Sequence, residues 1–123
     1  MFQQQDWLMR QIQVLVALIA QLIFHRSTIS YEIEDEDRHS LADQLHQKLL
    51  ELIDFGLLRE AERLLLGSLI PDDRQQLLLA VDFYQRLNEL DDGRLEECGF
   101  SREEIDNGLH KALELCGVHL PGF

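Results

Sequence analysis

A chain of 123 residues has the length of one domain, and on folding it can bury roughly two-thirds of its unfolded surface. Its 46% apolar and 28% charged residues are in globular balance, and its many leucines favour helix over strand. Residues 1–31 carry two basic residues against one acidic, whereas residues 32–123 carry nine against 22, giving a net charge of −12 for the whole. So negative a surface repels phosphate backbones and anionic headgroups, which argues against nucleic acid as a partner and makes membrane binding unfavourable.

The first element is a helix over residues 6–24. From Trp7 to Phe24, 14 of 18 residues are apolar, the exceptions being Arg10, Gln11, Gln13 and Gln21. A secretory leader would need a basic start and a small-residue cleavage site, and neither is visible. The longest run without a polar side chain, Val14 to Ala20, is well short of the roughly 20 residues of a membrane span. Leu8, Ile12, Leu15, Ile19 and Leu22 follow steps of four and three and form one buried seam, widened by Met9, Val16 and Ile23. Apolarity this close to all-round implies neighbours on more than one side. A homodimer formed partly through this helix is therefore expected.

Residues 25–39 lose helical periodicity and gather Glu32, Glu34, Asp35, Glu36 and Asp37. Asp35, Asp37 and Asp43 suggest a calcium loop, but Ser40 stands where the EF-hand needs glycine and His46 where it needs glutamate. A solvated acidic linker without metal is the expectation.

Residues 40–117 read as helical hairpins. Ser40 caps a helix whose buried face is Leu41, Leu45, Leu49, Leu52 and Ile53, ended by Gly56. A third helix, from about Leu58 to Ser68, packs through Ala61, Leu64, Leu65 and Leu69, and the run from Gly56 to Pro71 resembles part of a tetratricopeptide unit without its second copy. Pro71-Asp72-Asp73 opens a fourth helix reaching Leu90, with Leu77, Ala80, Val81, Tyr84 and Leu87 inward and Asp82, Arg86 and Glu89 paired outside. Leu95 to Cys98 makes one further turn. Ser101 and Glu104 then form a capping box with Phe100 and Ile105 as its hydrophobic staple. This last helix buries Ile105, Leu109, Ala112, Leu113 and Cys116 and stops at Gly117.

Asp6-Trp7-Leu8-Met9-Arg10, Asp82-Phe83-Tyr84-Gln85-Arg86-Leu87-Asn88 and Phe100-Ser101-Arg102-Glu103-Glu104-Ile105 together resemble a family of small uncharacterised helical proteins from Bacillus-type and related Gram-positive bacteria. The resemblance implies a cytoplasmic bacterial protein, with no activity or catalytic residues to carry over.

No metal or nucleophile pattern rises above the background. His39 and His46 are seven apart, His110 and His119 nine apart, and no His-Glu-x-x-His run exists. Cys98 and Cys116 match no zinc spacing and read as reduced packing residues of a cytoplasmic protein. Glu103, Glu104 and Asp106 would lie against phosphate if the last helix entered a DNA groove. Phe83 and Arg86 are a candidate surface, set against the simpler reading that Phe83 packs on a neighbouring helix and Arg86 pairs locally. The chain is thus expected to be an all-α, single-domain protein of about five helices, without cofactor or metal. Its expected function is that of a non-catalytic interaction module that self-associates through its first helix, with Leu8, Ile12, Leu15, Ile19, Leu22, Phe83 and Arg86 as candidate interface. The alternatives are a small-ligand binder or enzyme, and peripheral membrane attachment through that helix.

Overall fold

A computed structural model describes residues 2–32 and 40–120, with residues 2–5 described by backbone alone. These residues form six helices and, among those described, no strand: α1 Phe2–Leu22, α2 Leu41–Asp54, α3 Leu58–Ser68, α4 Arg74–Glu89, α5 Asp92–Glu97 and α6 Arg102–Leu115. The acidic run from Glu34 to Asp37, with the candidate calcium ligands Asp35 and Asp37, lies outside the described residues. Among the described residues no helix is long and apolar enough to cross a membrane.

Local chemistry sets the helix ends. The side chains of Ser40, Asp73, Asp91 and Ser101 each accept a hydrogen bond from the backbone N–H three residues on, satisfying one of the donors a helix start leaves unpaired. The capping box is complete, since Ser101 N–H donates to Glu104 Oε2 at 2.8 Å and Glu104 N–H to Ser101 Oγ at 3.1 Å. Gly117 ends α6 at φ 75°, and Val118 N–H closes on the Leu113 carbonyl at 2.9 Å, the stop that only a residue free of a Cβ penalty makes cheaply. Pro71 departs from expectation. It lies in a turn before the cap, with Asp72 at φ 63°, so Asp73 and not the proline opens α4.

α4 is the central helix, packed against α1, α2 and α6, while α2 and α3 form the expected hairpin. Leu77, Leu79, Ala80, Val81, Phe83, Tyr84 and Leu87 are all buried, so α4 is covered on several sides. From α1, Ile12, Leu15, Val16, Ile19 and Ala20 enter the same core. At about 1.5–3 kcal/mol for each fully buried large aliphatic side chain, the larger four contribute roughly 6–12 kcal/mol as an upper bound. Two packing expectations are corrected. Leu41 is 84% exposed because α2 turns Asp43, His46 and Leu49 inward, and Leu64 is exposed because α3 packs through Leu58, Ala61 and Leu65.

Candidate functional site

The most polar part of the interior lies where residues 29–31 cross α2 and α4. Ile29 and Tyr31 are buried, so this part of the expected solvated linker is a packed strap. Tyr31 N–H donates to Asp82 Oδ1 at 3.0 Å, and the Tyr31 hydroxyl donates to Asp43 Oδ1 at 2.6 Å. Gln75 Nε2 donates to the same hydroxyl at 3.1 Å, and Gln85 Nε2 holds the Ile29 carbonyl at 3.1 Å. Asp82 also accepts from Arg86 Nε at 2.7 Å, and its Oδ2 lies 3.9 Å from His46 Nδ1. The His46 ring sits against Tyr31, centroids 4.6 Å apart. Burial and then the Asp43 carboxylate push the Tyr31 phenol up to about 12, so it acts here as a donor and not as a base. Burial lowers His46 below its ordinary value, with Arg86 adding to the effect and Asp82 and Asp43 opposing it.

Two further knots are structural in character. Arg102, 2% exposed, donates to the Asn88 and Leu90 carbonyls at 2.8 Å each, to Asn88 Oδ1 at 2.9 Å and to Asp92 Oδ1 at 3.0 and 3.2 Å. Asn88 Nδ2 in turn donates to the Met9 carbonyl at 3.1 Å, tying α1 to the end of α4. The Tyr84 hydroxyl, deep between α3 and α6, donates to Glu62 Oε2 at 2.9 Å. Burial raises the Glu62 carboxyl above its usual range while this hydrogen bond pulls it back. Gly108 makes room for both groups.

The interface residues expected from the sequence divide between inside and outside. Ile12, Leu15, Ile19 and Phe83 are buried within this chain by its own helices, so no partner reaches them while the fold is intact. Leu8 is half-buried and Leu22 is 52% exposed, both at the margin of the seam. Asp82 turns inward, contrary to expectation, while Arg86, its side chain 39% exposed, pairs with it across one helical turn. What α1 leaves outside is a second stripe. Trp7 is 60% and Val14 51% exposed, and with Gln11, half-buried Leu18 and Leu22 they follow steps of four, three, four and four.

Sequence reasoning missed Tyr31, Asp43 and His46 as one cluster, as well as the close approach at Gly108. Beside the cluster an open cavity of about 480 Å³ is lined by Arg26, Tyr31, Ser40, Asp43, Arg74 and Gln75, with Phe24 and Leu78 among its walls. A smaller one of about 300 Å³ lies between α1 and α4 over Val16, Ala17 and Ala20. Among the described residues no group of three or more His, Cys, Asp or Glu side chains is placed to hold a metal ion. Cys116 is buried, which raises its thiol above the ordinary value.

No curated protein and no solved structure matches the chain. A family model described as a family of unknown function, DUF6483, matches residues 1–117, and the chain belongs to that family.

Proposed function

We propose that this protein is a bacterial, cytoplasmic, non-catalytic helical interaction module that self-associates through the outward face of α1. The observation that carries the reading is the exposed stripe of Trp7, Val14, Leu18 and Leu22, interrupted only by Gln11, on a helix whose face through Ile12, Leu15 and Ile19 already fills the core. The buried polar cluster accounts for itself structurally. Tyr31, Asp43, Asp82 and Arg86 satisfy one another and pin the strap, and among the described residues no buried side-chain N or O atom lacks a hydrogen-bond partner.

Covering the exposed halves of Trp7, Val14 and Leu22 is worth roughly 2–5 kcal/mol per protomer, before the cost of association is subtracted. A dimer held this way dissociates in the micromolar range or above. Sedimentation equilibrium from about 1 to 300 μM is therefore expected to show a monomer–dimer equilibrium. Val14→Glu should leave a monomer that melts as the unsubstituted chain does at concentrations too low for pairing, because Val14 faces outward. A 14.4 kDa monomer throughout that range for the unsubstituted chain refutes the reading. Recovery with lipid vesicles would refute it in favour of membrane attachment.

A second reading is favoured by the 480 Å³ cavity, whose lining includes Arg26 and Arg74 as well as Glu32 and Asp43. Opposite charges within one open cavity suit a small zwitterionic ligand. A thermal-shift screen with amino acids tests it, with Arg74→Ala expected to abolish any stabilisation found.

A further inference from the structure

The proposal rests on the self-association reading and concerns what α1 meets and in which direction. The outward stripe needs an apolar occupant, and the rest of the chain restricts which one fits. Residues 32–123 carry 22 acidic side chains against nine basic ones, so two copies repel over most of their surface. The first 31 residues are the exception, with only Asp6, Arg10 and Arg26 charged. A second copy can approach this helix without bringing its acidic body to the contact, provided the two helices meet face to face.

The stripe also has the symmetry that a two-fold axis requires. A midpoint between Val14 and Leu15 exchanges position 7 with 22 and position 11 with 18, so Trp7 meets Leu22 of a second copy and the two Val14 side chains flank the axis. Direction follows from charge. In a parallel pair the two helix dipoles would lie aligned side by side. In an antiparallel pair the start of one helix, with Asp6, lies along the end of the other, where His25 and exposed Arg26 follow. We infer that two copies of this chain pair antiparallel through the outward face of α1, about a two-fold axis between Val14 and Leu15.

Cysteine cross-linking of the full chain tests both direction and face. A disulfide requires Cβ atoms about 3.5–4.5 Å apart. At 1.5 Å rise per residue, an antiparallel pair centred between residues 14 and 15 separates the two copies of position 7 by about 22 Å. Val14→Cys is therefore expected to give a covalent dimer on mild oxidation, and Trp7→Cys alone none. A mixture of Trp7→Cys with Leu22→Cys should give the mixed dimer. The unsubstituted chain controls for Cys98 and Cys116. Cross-linking of Trp7→Cys to itself as readily as Val14→Cys indicates parallel pairing and overturns the inference while leaving self-association in place. A dimer by sedimentation that Val14→Cys does not cross-link places the interface elsewhere and overturns it too. A monomer by sedimentation removes the reading on which it rests.

Discussion

Replacing Gly108 by alanine tests the packing of α6 against α3 and α4. A methyl group built there falls inside van der Waals contact of Glu62 Oε2, 2.5 Å from Tyr84 Cε1 and 2.7 Å from the Tyr84 oxygen. Glu62 is half-buried and its carboxylate can swing away, but Tyr84 is fully buried and edge-on to Phe83, with ring centroids 5.0 Å apart, so its ring cannot follow. Overpacking of this kind costs about 1–3 kcal/mol, and loss of the Tyr84–Glu62 hydrogen bond adds roughly 1–2 kcal/mol. The better helix propensity of alanine returns about 1 kcal/mol. The net loss is about 1–4 kcal/mol, or roughly 4–15 °C in Tm for a chain of this length. The same substitution at Gly67, in α3 with nothing within 4 Å of the added methyl, is expected to stabilise by about 0.5–1 kcal/mol. Urea denaturation and calorimetry on both variants give the comparison. A Gly108→Ala protein as stable as Gly67→Ala would refute the close approach.

Two further substitutions probe the buried charges. Arg102→Lys keeps the charge but loses the planar fork that reaches two carbonyls and Asp92 together, leaving acceptors at the end of α4 unsatisfied. A loss of about 2–4 kcal/mol is expected by urea denaturation, and a change below about 0.5 kcal/mol would show the network to be dispensable. His46 has a folded value below its unfolded one, so the native state binds fewer protons and stability falls as pH drops from about 7 through the depressed value, with a slope of at most about 1.4 kcal/mol per pH unit. His46→Phe, which keeps a ring against Tyr31, should remove that part of the pH dependence. Equal slopes for the two proteins between pH 7 and 5 would sink the assignment.

What the sequence displays and what it hides follow from the range of each interaction. The capping box at Ser101 and Glu104 spans four residues, and the stop at Gly117 needs only its neighbours, so both are written locally. The Tyr31 cluster is hidden because Tyr31 and Asp82 are 51 residues apart, and each on its own looks like an ordinary linker or surface residue. A signal nonetheless exists on α4. The unbroken apolar run Leu77 to Val81 followed by Phe83 and Tyr84 is too wide for one helix face, so the helix is covered on several sides and the Asp82 within it has to find a buried partner.

The first helix shows how far periodicity goes. Steps of three and four identify stripes, and residues 7–24 contain two: one through Ile12, Leu15 and Ile19 and another through Trp7, Val14 and Leu18. Spacing alone cannot rank them, because both satisfy the same geometry and both are largely apolar. What ranks them is shape at the contact. Val16 and Ala20 extend the first stripe with side chains that let α4 and α6 approach, while the second is interrupted by Gln11, which finds its hydrogen bonds most easily in water. The seam through Ile12, Leu15 and Ile19 is therefore the core, and the stripe left over carries the exposed Trp7 and Val14.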